Sequence, residues 1–241
     1  MLRDDELRRI LDQIKPAPLN GPFSRFVPFD KMVSRETGVM TASGPTFSPA
    51  EIPDQPADLT IEYEVEPGVV VASGFAYVPP KPRPLWGIGS IKNGGRYNKR
   101  DSFEVIYLAE DPITALAEVD RVLAANPKFS KIKGPPVVYI SVDGILDKTL
   151  DLTLVDIQND LATSHQELTG AWIFEQDRTG EAPTQRLGRV AFECNRFCSL
   201  RFPSAKNPDG FCVAAFPDRF VGASYLEVFD PFGNLAQRLP A

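Results

Sequence analysis

The stretch of residues 93–119, NGGRYNKRDSFEVIYLAEDPITALAEV, constrains the fold more than any other part of the chain. The pair Gly94-Gly95 lets the backbone turn sharply and approach a ligand closely. Residues 104–109 have the composition of a strand. Asp111-Pro112 predicts the start of a helix, with Asp as the N-cap and Pro at the first helical position. The chain therefore has to fold around a turn, a strand and a helix in close succession.

Three side chains of this stretch have chemistry that suits a ligand. Arg96 offers a rigid fork of donors for phosphate or carboxylate. Tyr107 could end its strand with the ring across a pocket, where it would stack on a flat ligand. Glu118 falls beside the apolar face of the predicted helix, where a carboxylate is costly unless it is paired or functional. Each also has an ordinary structural explanation, but together they lead us to interpret the stretch as the floor of a nucleotide-handling site.

The remaining pattern predicts an α+β fold. Strands outnumber helices and do not alternate regularly with them, which favours a mostly antiparallel or mixed sheet over a doubly wound one. An irregular excursion is expected from about residue 30 to 58, and the strand at 136–142 is expected to end at Asp143-Gly144. Further helices are predicted near 7–14, 156–163 and 184–194, the last with Thr184 as a candidate N-cap, and further strands at 23–27, 60–65, 69–72, 198–202, 211–216 and 225–229.

Composition excludes several classes of function. The net charge of −6 and the pI near 5.0 argue against a nucleic-acid binder that works through bulk charge. No apolar run approaches the roughly 20 residues that span a bilayer, and the N-terminus is too charged for a signal peptide, so we expect a cytoplasmic protein. Three Cys and one His make a zinc site improbable, and we expect no metal but free buried thiols.

Several ordered motifs resemble the RES domain, a family named for its Arg, Glu and Ser. They are GGRYN, YLAEDPITALAE, the Thr184-Gln185 pair that opens a helix, and FPSA ahead of a Gly-bearing loop and an apolar strand. Phe23-Ser-Arg-Phe is similar to an early strand of the family that carries an Arg, here Arg25. The resemblance covers roughly residues 86–216, within a single domain of residues 1–241. Residues 1–85 form an extended N-terminal portion that could cover the cleft, form a dimer surface or bind a partner.

The resemblance implies an ADP-ribosyltransferase-like fold, a split mixed sheet with flanking helices around an NAD⁺ cleft. Family members are typically toxins of bacterial toxin–antitoxin pairs that consume NAD⁺ by hydrolysis, by phosphorolysis or by transfer of ADP-ribose to a protein. Their antitoxin usually carries a helix-turn-helix domain of the Xre type. This chain shows no such motif, so an antitoxin would be a separate protein.

The resemblance also implies a role for each site residue. Arg96 would hold the NAD⁺ pyrophosphate or fix the nicotinamide ribose, and Tyr107, with Tyr97, would stack on the nicotinamide. Glu118 would bind a ribose hydroxyl and stabilise the positive charge that develops as the N-glycosidic bond breaks. Ser204 would hydrogen-bond the ligand from the opposite side. No strong general acid is needed, because nicotinamide leaves as a neutral molecule.

Three hypotheses stay open at this point. The first is an NAD⁺ glycohydrolase or phosphorylase, with protein ADP-ribosyltransferase activity as an alternative. The second is a catalytically inactive module that binds a nucleotide or scaffolds a partner. The third is an α+β domain in which these residues are structural. The enzyme is favoured because Arg96, Tyr107, Glu118 and Ser204 are all present, whereas a degenerate copy would be expected to lack at least one.

Overall fold

The computed structural model describes residues 2–28, 39–41, 44–45, 62–66, 69–73, 76–77, 83–119 and 137–240. Within these ranges, no helix has the length and apolar character needed to cross a membrane. Contacts divide the chain into two units, one made of Met1–Phe29 and Pro84–Ala241 and the other of Asp30–Arg83. Most of the irregular excursion predicted for 30–58 lies outside the described residues.

The smaller unit contributes five short strands. They are β3 (Val39–Thr41), β4 (Gly44–Pro45), β5 (Glu62–Glu66), β6 (Val69–Ser73) and β7 (Ala76–Tyr77). Strand β3 pairs antiparallel with both β4 and β7. Strands β5 and β6 pair antiparallel from Glu62 opposite Ser73 to Glu66 opposite Val69, and both overlap the strands predicted at 60–65 and 69–72.

The larger unit is an eight-stranded mixed sheet with helices packed against it, which confirms the predicted α+β fold. Its helices are α1 (Asp4–Gln13), α2 (Ile88–Asn93), α3 (Pro112–Val119), α4 (Val155–Asp160), α5 (His165–Thr169), α6 (Trp172–Thr179) and α7 (Pro183–Glu193). Its strands are β1 (Ala17–Asn20), β2 (Phe23–Pro28), β8 (Ile106–Ala109), β9 (Val137–Asp151), β10 (Ser199–Pro203), β11 (Phe211–Ala215), β12 (Tyr225–Val228) and β13 (Arg238–Leu239). The strand order is β10-β11-β8-β2-β9-β12-β13, and β1 and β10 also pair with β9.

Helices α1 and α7 cover one face of the sheet with apolar side chains. Leu7 and Leu11 of α1 are fully buried, as are Leu187 and Ala191 of α7, and all four belong to one core cluster. Acidic residues in the first turn of α1 suit the positive end of the helix dipole. Helix α7 begins at Pro183 after Ala182, so the prediction that Thr184 caps it is wrong: Pro takes the first helical position and Thr184 is the next residue.

Strand β9 continues through the point where the sequence predicted its end. It runs from Val137 to Asp151, pairing first with β2 and then with β12, β1 and β10. Gly144 lies opposite Leu226 of β12, and a Cβ on Gly144 would come within 2.7 Å of that side chain. The predicted turn at Asp143-Gly144 is therefore wrong, because the glycine serves a close approach between strands and not a change of direction.

Strands β8 and β10 end at the same edge of the sheet. Both are antiparallel to β11, which lies between them, so they run in the same direction. Phe211 of β11 is opposite Pro203 at the end of β10, and its carbonyl accepts the N–H of Glu110 just beyond β8 at 3.0 Å. This topology places the start of α3 beside the loop that follows β10.

Helix α7 touches the turn after Gly94 so closely that Gly188 has no room for a side chain. A Cβ at Gly188 would lie 1.9 Å from the Tyr97 carbonyl oxygen. We expect Gly188→Ala to lower the free energy of unfolding by about 1–3 kcal/mol through overpacking. Gly89→Ala is the matched control, since a Cβ on this second helical glycine would meet nothing within 4 Å and should raise helix stability by up to about 1 kcal/mol. Denaturant unfolding measures both variants, and equal stabilities would contradict the close approach.

Candidate functional site

Glu118 and Ser204 meet at the edge where β8 and β10 end. Glu118 lies in the last turn of α3, and Ser204 directly follows β10. The Ser204 hydroxyl donates to Glu118 Oε1 at 2.6 Å, across 86 positions of sequence. The N–H of Ala205 donates to the same oxygen at 3.0 Å. Both bonds go to Oε1, and no described residue donates a hydrogen bond to Oε2.

The Ser204 hydroxyl uses its whole hydrogen-bonding capacity within the protein. Its proton goes to Glu118, and its oxygen accepts the N–H groups of Lys206 at 3.1 Å and Asn207 at 3.0 Å. A hydroxyl has one donor and two acceptor positions, so all three are filled. Ser204 therefore orients Glu118 in this structure. A direct bond from Ser204 to a ligand, as predicted from the sequence, requires it to exchange one of these partners.

A second set of contacts joins the Ser204 loop to the start of α3. The Asp111 carboxylate accepts the N–H of Thr114 at 2.8 Å and its hydroxyl at 2.5 Å, so Asp111 caps α3 as predicted. Asn207 donates its side-chain amide to the same hydroxyl at 2.8 Å. Gly210 closes the loop, and a Cβ there would lie 2.1 Å from Thr114 Oγ1. These contacts therefore hold together the start of the helix that carries Glu118 and the loop that carries Ser204.

Arg96 projects from a tight turn between α2 and β8. The turn starts at Gly94, whose φ of +71° is rarely adopted by residues with a side chain. Arg96 Nη1 donates to the carbonyl oxygens of Leu168 at 2.9 Å and Gly170 at 2.8 Å. The guanidinium is therefore tied to the junction between α5 and α6.

Tyr107 reaches from β8 to the same turn. Its hydroxyl accepts the N–H of Tyr97 at 2.9 Å and donates to Asn98 Oδ1 at 3.0 Å. Tyr97 is fully buried, and its ring packs against Phe202 with 4.6 Å between ring centroids. Since Tyr97 exposes no ring face in this structure, Tyr107, which is half-buried, is the better placed of the two to stack on a ligand.

Electrostatic effects relate Arg96 to the Glu118–Ser204 pair. Burial raises the pKa of Tyr107, and the positive charge of Arg96 opposes that rise. Burial also raises the pKa of the Cys212 thiol, an effect that the Glu118 charge reinforces and that Ser204 and Arg96 oppose. The charges of Arg96 and Glu118 therefore have opposite effects on the pKa of Cys212.

Arg25 adds a second buried guanidinium on the neighbouring strand. It lies on β2, which pairs with β8 through Ser24 opposite Ala109. Burial lowers the pKa of Arg25 to about 10, and the Glu104 charge opposes that fall. Arg25 Nη2 donates to the Trp86 carbonyl at 3.2 Å, while Nη1 is buried and has no hydrogen-bond partner in the described part of the chain. Arg25 remains charged at neutral pH.

A cavity of about 360 Å³ lies beside the Arg96 contact. Helices α5, α6 and α7 form it, and its lining includes Gly170, Trp172 and Thr184. Gly170 is also a carbonyl partner of Arg96, but Arg96 itself does not line the cavity. The lining includes Glu167 and Glu175 and neither Glu118 nor Ser204.

Three residues that received no role from the sequence lie against the site. Asn98 and Gln185 stand inside motifs that carry the family resemblance, GGRYN and the Thr-Gln pair, so a signal for them existed. Cys212 gave no signal. Its position follows from strand register, which sets it between Phe202 of β10 and Ala109 of β8.

Comparisons with known proteins agree with the motifs. A model of the RES domain family matches residues 72–231, which include every predicted site residue from Arg96 to Ser204. One chain of the crystal structure of the M. tuberculosis MbcT–MbcA toxin–antitoxin complex is similar in fold, with a TM-score of 0.53. The two sequences are 16% identical, and the match covers 94% of this chain and 90% of that one. No curated protein matches by sequence.

The cap at Asp111 predicts a pH-dependent contribution to stability. Bonds from the Thr114 hydroxyl and N–H lower the pKa of Asp111 below its usual value of 3.8. The stabilisation is therefore complete above about pH 4 and disappears as the pH falls through the lower pKa of the folded state. We expect Asp111→Ala to cost about 1 kcal/mol at pH 7 and less at pH 2. Urea unfolding across this range measures it, and Asp156→Ala, an exposed carboxylate change in the first turn of α4, is the control.

Proposed function

The chain belongs to the RES domain family, and from that premise we propose that it is an NAD⁺-consuming enzyme that cleaves the nicotinamide N-glycosidic bond. The observation that carries the proposal is the 2.6 Å hydrogen bond between Ser204 and Glu118. It joins the Glu and the Ser that the family resemblance singles out, although 86 positions separate them. Both lie in the part of the chain that the family model matches.

Glu118 supplies the charge that the reaction needs. When the bond between ribose C1′ and the nicotinamide nitrogen breaks, its electron pair leaves with nicotinamide and positive charge develops on the ribose. A nearby carboxylate stabilises such an oxocarbenium-like transition state. Ser204 and the Ala205 N–H hold Oε1, so we expect Oε2 to face the ribose. The orientation is set before the ligand binds, which reduces the cost of reaching the transition state.

Arg96 is the guanidinium that we expect to bind the pyrophosphate. Arg96 binds backbone carbonyls through Nη1 and can offer its other N–H groups to phosphate oxygens. The half-buried ring of Tyr107 is the surface on which the nicotinamide would stack, with Tyr97 behind it in the core.

The acceptor of ADP-ribose defines the reaction class. We favour water or phosphate, which makes the protein a glycohydrolase or a phosphorylase, with a protein side chain as the alternative. No metal takes part in this scheme.

We also propose that the chain is a toxin held by a separate antitoxin of the Xre helix-turn-helix type, in the cytoplasm. The similar structure comes from a toxin–antitoxin complex, which supports the expectation of a partner. Co-expression with the product of the neighbouring reading frame, followed by purification on a tag on this chain, tests it. A stable complex that suppresses NAD⁺ loss supports the proposal, and a freely active enzyme in the presence of that product contradicts it. Light scattering on the purified chain tests for a homodimer.

The activity is tested by incubating the protein with NAD⁺, with and without phosphate and candidate acceptor proteins. Free ADP-ribose, ADP-ribose phosphate and modified protein identify the three acceptors. We expect Glu118→Gln to lower kcat by about 100- to 1,000-fold, because it removes the charge and keeps an oxygen for Ser204 and Ala205. Glu193→Gln, an exposed change at the end of α7, should leave kcat unchanged.

The outcomes of this experiment separate the competing functions. NAD⁺ binding without turnover by the folded protein would favour an inactive nucleotide-binding module and overturn the enzyme. Full turnover by Glu118→Gln would remove Glu118 from the catalytic role.

A second substitution distinguishes two roles for Ser204. If Ser204 orients Glu118, Ser204→Ala should lower kcat by about tenfold or more and leave KM nearly unchanged, because the lost bond is to the catalytic carboxylate. If Ser204 binds the ligand directly, KM should rise instead. Steady-state kinetics for NAD⁺ separates the two, and Ser199→Ala is the control, since this buried hydroxyl bonds Thr149 and not the site.

A further inference from the structure

The turn that carries Arg96 is held by two side-chain amides, those of Asn98 within the turn and of Gln185 on α7. We infer that Gln185 of α7 is a positioning residue that keeps the Arg96 guanidinium aimed at the proposed cleft. The inference deepens the proposed function and rests on it for the substrate, but the contacts that carry it belong to the protein alone.

Gln185 is fully buried and binds the backbone on both sides of Arg96. Its side-chain nitrogen lies 3.0 Å from the Gly95 carbonyl oxygen and 3.3 Å from that of Asn98. The same nitrogen donates to Gln176 Oε1 at 2.6 Å, and Gln185 Oε1 accepts the N–H of Ala182 at 3.1 Å. The orientation of the Gln185 amide is unambiguous, because a flipped amide would place its oxygen against the oxygens of Gly95, Asn98 and Gln176.

The opposite side of the turn is held by β8 and by Asn98 itself. Asn98 is fully buried, donates to the carbonyls of Ser90 at 2.8 Å and Phe103 at 3.2 Å, and accepts the Tyr107 hydroxyl. The Gly95 N–H donates to the Asn98 carbonyl at 2.8 Å and closes the turn. Gln185 thus completes the turn on its helix side, where loss of its amide would leave the Gly95 carbonyl without its donor.

Gln185 also supports the far end of the Arg96 side chain. Its partner Gln176 lies on α6, and Arg96 Nη1 binds Leu168 and Gly170, which lead into that helix. Hydrogen bonds join the turn to Gln185 and Gln185 to α6, and the residues just before α6 accept the Arg96 guanidinium. We call this set of contacts the circuit. The Gln185 amide therefore contacts both the turn that carries Arg96 and the helix that follows the carbonyls to which Arg96 donates.

The substitution that tests this circuit is Gln185→Met, which keeps the side-chain length and removes the amide. Gln158→Met is the matched control, because Gln158 is a buried helical glutamine that donates to the Leu152 carbonyl at 2.8 Å and contacts no residue of the turn. Both variants lose a buried amide, so a general loss of stability affects both.

Kinetics of NAD⁺ consumption gives the first measurement. Misplacement of a binding group by about 1 Å can cost about 100-fold, so we expect Gln185→Met to lower kcat/KM by about 10- to 100-fold more than Gln158→Met. In an Arg96→Lys background the effect of Gln185→Met should fall below about threefold, because residues that act through one another are not additive. Equal effects in both backgrounds, or in both glutamine variants, would overturn the positioning role.

A spectroscopic measurement keeps the inference separate from the proposed function. In wild type, the Nη protons of Arg96 should give slowly rotating NMR signals, because two carbonyls hold the group. These signals should disappear in Gln185→Met and persist in Gln158→Met, with Arg96→Lys assigning them. Their persistence in Gln185→Met overturns the inference. Absence of NAD⁺ turnover by wild type overturns the proposed function, and the NMR comparison still decides the circuit.

Discussion

The bond between Ser204 and Glu118 depends on the direction of three adjacent strands. Because β11 runs antiparallel to both β8 and β10, the two outer strands deliver their following segments to one edge of the sheet. The cap at Asp111 then starts α3 at that edge, and Asn207 ties the cap to the Ser204 loop. A slip of one residue between β10 and β11 would turn the side chains of β10 to opposite faces and remove the contact.

The two charged side chains of the candidate site, Glu118 and Arg96, are oriented by uncharged groups. Glu118 is oriented by a hydroxyl and a backbone N–H, and Arg96 by backbone carbonyls and a turn that amides secure. Such partners fix the direction of a charged group without pairing it with an opposite charge.

Local signals in the sequence predicted the elements that carry the site. The start of α3 followed from Asp111-Pro112, and strand β8 followed from the composition of residues 104–109. The prediction failed where glycine served packing: Gly144 looked like a turn but allows β12 to approach β9. Bonds such as those of Gln185 to Gly95 span about 90 positions, and no local pattern encodes their geometry. Only the family resemblance placed Glu118 and Ser204 together.

The saturated hydroxyl of Ser204 has a consequence for chemical probes. A serine nucleophile needs a lone pair to attack and a base ready to take its proton. Ser204 is buried, and both of its lone pairs face backbone N–H groups. A sulfonyl fluoride or fluorophosphonate therefore meets an oxygen without an available electron pair, despite the carboxylate beside it. Under the proposed reaction, compounds that carry positive charge on a ribose-like ring would imitate the departing sugar, and they are the more suitable starting point for inhibitors.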